Sequence, residues 1–114
     1  MTIFIWKVVN PNQLKATKRG LQHLYDKHAK DWGMTANRNN QSLQEFWSNL
    51  AGHIENPNTW VLHGHYRGNP AVHFLDPQSY RFVSTGYSGQ LLGTGRLTPG
   101  SKQFNRFFLD YWLW

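Results

Sequence analysis

The chain has 114 residues with 12 Lys+Arg against 6 Asp+Glu, a net charge of +6; that is the size of one domain, spanning 1–114, with a bias towards a polyanionic partner. The absence of cysteine excludes disulfides, thiolate nucleophiles and cysteine-based zinc sites. No apolar run in the sequence approaches the roughly 20 residues of a membrane-spanning helix.

Thr2–Val9 is rich in β-branched and aromatic residues and predicts a strand; it is short and lacks the basic leader of a signal peptide. Asn10-Pro11-Asn12 stops it. Gln13 to about Trp32 predicts a helix through the spacing of Leu14, Leu21 and Leu24, weakened or split at Gly20 and stopped at Gly33. Thr35–Gln41 is polar and predicts a loop. Ser42 and Glu45 form a capping box that starts a second helix running to about Glu55, with Leu43, Phe46, Trp47, Leu50 and Ile54 as its apolar face.

The second half predicts four short strands, Thr59–Tyr66, Ala71–Leu75, Tyr80–Thr85 and Gln90–Leu97. The turns between them are Gly68-Asn69-Pro70, Asp76-Pro77-Gln78 and Tyr87-Ser88-Gly89, which suits an antiparallel meander. Ser101–Trp114 predicts a last aromatic helix with Phe104, Phe107, Phe108 and Trp112 inward. The class is α+β: N-terminal helices packed on one face of a twisted antiparallel sheet of about four strands.

Three clusters carry chemistry. The densest is His23 to Lys30, in which His23, Lys27 and Lys30 fall near one helical stripe with His28 beside it. RNA cleavage through the 2′-hydroxyl needs a base that titrates near neutrality, an acid for the leaving 5′-oxygen and cations for the phosphorane. A histidine among lysines offers that set without metal, and an ordinary solvated helix face has the same composition. The second cluster, His63, His65 and His73, lies on two adjacent strands; it fits packing or RNA contact better than a zinc or copper site, because only Asp76 is near as an acidic ligand. The third is the glycine-rich run from Gly86 to Thr98. It lacks the lysine of a phosphate-binding loop. As a strand it turns Thr94 and Arg96, with Leu92, to one face, where a hydroxyl and a guanidinium suit a phosphate; a plain edge strand with a glycine bulge is the alternative.

Several segments resemble the colicin D-type nuclease domains. Lys27-His28-Ala29-Lys30-Asp31-Trp32-Gly33 is similar to that family's "KHAxDFG" segment, and the run from His63 to Gly68 to its "G-x-YRG" strand. His73-Phe74-Leu75-Asp76-Pro77 with Phe82-Val83 resembles its "HYFNP" hairpin and following strand, and Arg96-Leu97-Thr98-Pro99 the end of "S-G-W-K-L-S-P". The order is the family's, over roughly residues 20 to 100.

The resemblance implies a compact microbial-ribonuclease-toxin-like fold. It also implies an endoribonuclease toxin that cuts tRNA in or near the anticodon loop, with no metal or other cofactor, leaving a 2′,3′-cyclic phosphate. The family's catalytic histidine falls on His28 and the lysine before it on Lys27. A second family lysine falls on Tyr25. The family's serine and tryptophan fall near Gly93 and Gly95; with the register moved by one, Thr94 takes the serine's place.

The expected catalytic set is therefore His28, Lys27, Thr94 and Arg96, with His23, Lys30, Arg67 and His65 contacting substrate. Thr94 and Arg96 are expected on the open sheet face, opposite His28. The expected partners are tRNA and an acidic immunity or antitoxin protein, with no membrane and no DNA, since no helix-turn-helix signature is present. The site of action is the cytoplasm, reached alone or as part of a delivered toxin. The competing function is a non-catalytic RNA-binding module whose aromatics stack on unpaired bases.

Overall fold

A computed structural model describes residues 14–105. The first helix, α1, spans Lys18–His28, with the Thr17 hydroxyl capping it by accepting from Gly20 N–H at 3.0 Å. It begins later than the apolar spacing predicts. Before Thr17 the chain is drawn into a parallel bridge, with Lys15 N–H on the Gly89 carbonyl (3.0 Å) and Leu91 N–H on the Lys15 carbonyl (2.8 Å). Gly20 lies in the first turn of α1 and does not split it. A 3-10 turn, Ala29–Trp32, continues α1 and closes at Gly33, whose φ of 73° is the left-handed stop that a glycine accepts without strain.

The second helix, α2, is Asn40–Glu55. Its capping box is Asn39 with Ser42, three residues upstream of the expected Ser42–Glu45 pair. The Asn39 side chain accepts from Ser42 N–H at 2.8 Å and the Ser42 hydroxyl accepts from Asn39 N–H at 2.9 Å. The expected apolar face is inward: Leu43, Phe46, Leu50 and Ile54 are buried and Trp47 packs against them.

The four strands are β1 (Trp60–Tyr66), β2 (Asn69–Leu75), β3 (Arg81–Thr85) and β4 (Leu91–Arg96), antiparallel in the order β1-β2-β3-β4. The first hairpin is tighter than its glycine and proline predict. Tyr66 pairs with Asn69, so the loop is Arg67-Gly68 alone, with φ of 52° and 83°; positive φ at both positions marks the type I′ turn that matches strand twist. A bulge between Ser84 and Thr85 leaves Thr85 opposite Leu91 and Ser84 opposite Gly93.

The helices pack on the face of the sheet that carries Val72, Phe74 and Val83, making the main core with Tyr25, Trp32 and the α2 stripe. The other face is not bare. Leu62, Leu75, Phe82 and Leu97 form a second buried cluster there, with Tyr80 and Phe104 against it. The α+β class and the meander stand as expected. The expected strand Thr2–Val9 lies outside the described residues. Of the expected last helix, residues 102–105 are helical and the rest lies outside them.

Candidate active site

His28 ends α1 at the edge strand β4. Its Nδ1 lies 2.9 Å from the Asp31 carboxylate, three residues on in the 3-10 turn. With Asp31 as a carboxylate, that nitrogen carries the proton, and the neutral ring presents Nε2 as its acceptor. Both side chains keep some solvent contact, at 32% and 25% exposure, so the pair is reachable by a large substrate. Asp31 went unassigned in the sequence although His-x-x-Asp across a helix end was the readable signal.

The turn that carries His28 and Asp31 is pinned from several sides. Trp32 Nε1–H donates to the Thr94 hydroxyl at 3.0 Å, and that hydroxyl donates to the Phe82 carbonyl at 2.6 Å. The Arg81 Nε–H donates to the Asp31 carbonyl at 2.8 Å, and its guanidinium lies 5.5 Å from the centre of a Trp32 ring. His53 meets Trp32 edge-on at 5.1 Å and donates from Nε2 to the Phe74 carbonyl at 2.8 Å, and burial lowers its pKa. Neither Trp32 nor Arg81 stood out in the sequence, because a buried aromatic and a strand arginine have no local pattern that marks a brace.

Thr94 is therefore not the hydroxyl of an open face. It is 3% exposed, on the helical side of β4, and both its donor and its acceptor capacity are used. Arg96 shares that side, exposed at the edge, where its Nε–H donates to the Ser79 carbonyl at 3.0 Å. The residues of β4 on the opposite face are Gly93 and Gly95. A Cβ built on Gly95 would sit 3.3 Å from His28 Nδ1, so the imidazole lies directly on that backbone. The glycine run thus gives the ring its seat.

The face is concave. A Cβ on Gly93 would lie 2.6 Å from the Tyr66 hydroxyl, which comes from β1. Two strands separate them, and the register sets Gly93 level with Leu62, four residues short of Tyr66; at ~4.8 Å between strands and ~3.3 Å per residue a flat sheet would hold the two backbones about 20 Å apart, so contact demands strong curl. Arg67 is brought to the same rim, its guanidinium 5.6 Å from the Tyr66 ring centre.

The remaining expected residues are dispersed. Lys27 and Lys30 are exposed on either side of His28 in sequence. His23 lines a separate groove of about 350 Å³ with Lys15, Thr17, Gln90 and Leu92. His65 is exposed on β1. The strand histidines do not converge: register puts His63 and His65 on one face and His73 on the other. His73 is 2% exposed, with Nδ1 2.6 Å from the Ser84 hydroxyl and Nε2 3.1 Å from the His65 carbonyl. Among the described residues no three His, Asp or Glu side chains are placed to hold a metal ion.

The family model described as Colicin D matches residues 20–106. Among solved structures, the chain is similar to a ribonuclease from Escherichia coli complexed with its inhibitor protein. The TM-score is 0.71 at 23% sequence identity, over 79% of this chain and 96% of that one; at that identity the likeness is one of fold. No curated protein sequence matches significantly.

Proposed function

The chain belongs to the colicin D family, and from that membership we propose that it is a ribonuclease toxin domain that cleaves tRNA in or near the anticodon loop without metal. The observation that carries this reading is the His28–Asp31 pair at 2.9 Å, seated against a strand stripped of side chains at Gly93 and Gly95.

The chemistry balances with the chain's own groups. Nε2 of neutral His28 takes the proton of the 2′-hydroxyl, and the 2′-oxygen bonds to phosphorus as the bond from phosphorus to the 5′-oxygen breaks. The 5′-oxygen leaves with a proton from the Lys27 ammonium. The products are a 2′,3′-cyclic phosphate and a 5′-hydroxyl. Asp31 fixes the ring and stabilises the imidazolium that forms. Lys30 and Arg67 hold the RNA backbone by charge, which supports a steep salt dependence of binding.

The site of action is the cytoplasm, where tRNA is found. The partner is an acidic inhibitor that covers the basic face; the net charge of +6 and the inhibitor bound to the structural neighbour support that reading.

Gel analysis of total cellular RNA after brief induction tests the proposal. Discrete tRNA fragments ending in a cyclic phosphate are expected, about a thousandfold slower with His28→Ala and unchanged by excess chelator. Activity lost to chelator and restored by zinc would overturn metal independence. RNA affinity with no cleavage by the unaltered protein would leave a binding module instead.

A further inference from the structure

Strand β4 offers the concave face nothing but backbone at Gly93 and Gly95, and each glycine is covered by a polar group from elsewhere. His28 comes over the strand edge onto Gly95, and the Tyr66 ring folds across the sheet onto Gly93. Successive same-face residues of a strand are about 6.6 Å apart. A reacting group hydrogen-bonded from both sides at about 3 Å each needs that span.

The Tyr66 hydroxyl is placed there at some cost in backbone freedom. Its ring is carried at the end of β1 by a turn that holds Arg67 at a φ of 52°, uncommon for a residue with a Cβ. The Arg67 guanidinium lies over the same ring, and the ring edge fills the space any side chain at 93 would need, with Cζ 2.9 Å from the position of a Cβ. No described residue takes a hydrogen bond from that hydroxyl, although Tyr66 is partly buried.

We infer that Tyr66 is a catalytic residue, its hydroxyl donating to a non-bridging oxygen of the scissile phosphate while His28 works on the 2′-hydroxyl beside it. This rests on the ribonuclease reading above. The proton stays on Tyr66 throughout; the hydroxyl opposes the charge that builds on the phosphorane oxygen and takes no part in bond making. Arg67 adds a fixed positive charge at the same rim.

Single-turnover cleavage of unfractionated tRNA by the whole chain tests this, with far-UV circular dichroism to confirm folding. Tyr66→Phe keeps the ring on Gly93 and deletes the donor; a rate about a hundredfold lower is expected. Binding of the same tRNA, measured in the His28→Ala background so that nothing is cut, is expected to change less than twofold on adding Tyr66→Phe. A serine at 93 would place its hydroxyl near where the Tyr66 oxygen now lies, once the ring is gone. The double variant Tyr66→Ala/Gly93→Ser is therefore expected to cleave at least tenfold faster than Tyr66→Ala. A Tyr66→Phe rate within threefold of the unaltered protein, with His28→Ala inactive, overturns the role of Tyr66 and leaves the ribonuclease reading standing. A hundredfold loss of affinity that accounts for the whole rate effect also overturns it. No cleavage by the unaltered protein removes both.

Discussion

His73 is expected to make the protein acid-labile well above the carboxylate range. The side chain is buried in β2, and desolvation pushes its pKa from 6.5 down to about 4, against the opposing pull of the His65 carbonyl. In the neutral ring Nε2–H donates to that carbonyl and Nδ1 accepts from the Ser84 hydroxyl. Protonation would turn Nδ1 into a donor and force Ser84 to reverse its own bond. Because the folded pKa lies below the unfolded one, the unfolded chain binds the proton first. Stability is whole above pH 6.5 and falls as the pH drops towards 4, by roughly 1.4 kcal/mol per pH unit, about 3 kcal/mol in all. His53, whose pKa burial also lowers, adds to the slope, so a variant must isolate His73. Urea unfolding of the unaltered protein and of His73→Gln, at pH 7.5, 6, 5 and 4.5, does this. Glutamine keeps a donor for the His65 carbonyl and does not titrate. The stability gap between the two proteins should be widest at pH 7.5 and close by about 2.5 kcal/mol at pH 4.5. A gap that stays constant over that range refutes the reasoning.

Gly95→Ala is expected to cost about tenfold in cleavage rate with little change in melting temperature. The added methyl group meets His28 Nδ1 and Phe82 Cε1 at 3.3 Å each, tight enough to shift the ring; full activity in the alanine variant would show that the imidazole works elsewhere. Thr94→Val is expected to destabilise by about 2 kcal/mol in chemical denaturation, because it strands the Trp32 Nε1–H and the Phe82 carbonyl in the core. Thr94→Ser, which keeps the hydroxyl, is expected to stay within about 1 kcal/mol of the unaltered protein. Equal losses in the two variants would mean that the bonds do not matter.

Much of the fold was legible because it is written in local periodicity. The α2 stripe Leu43, Phe46, Leu50 and Ile54 is buried as spaced, and the four strand runs fall within one or two residues of their expected limits. What failed was non-local. Leu14 has helical spacing from Leu21 and Leu24, yet Lys15 pairs with the backbone beside Gln90, a contact that no window around residue 15 reveals. Ser42 satisfies the capping rule as the third helical residue, not as the cap, and the rule reads the same in either register.

The assignment of β4 failed for a more instructive reason. Alternation puts Thr94 with Leu92, and a Thr-x-Arg pair between glycines looks like a wet face. The bulge opposite Ser84 and Thr85 makes Leu92 the extra residue, so Leu91 and Thr94, an odd number apart, face the same side. A polar pair on a strand then turns out to be half core, through the bond to Trp32, and half edge, through Arg96.

That inversion changes what the glycines mean. On a wet face, Gly93 and Gly95 would be gaps between exposed side chains; on the concave face they are the floor on which the His28 and Tyr66 side chains, from α1 and β1, rest. A strand that supplies only backbone cannot place a reactive group itself, so the geometry of the site depends on how α1 and the β1–β2 turn are held relative to β4. The Trp32–Thr94 bond and the Arg81 contact to the Asp31 carbonyl fix α1, and the two-residue turn at Arg67-Gly68 fixes β1. His28 and the Tyr66 hydroxyl therefore belong to two separately anchored arms. Substitutions in one anchor should move one arm and leave the other, so that Thr94→Val and Tyr66→Phe together should lower the cleavage rate by the product of their separate effects, as independent perturbations do.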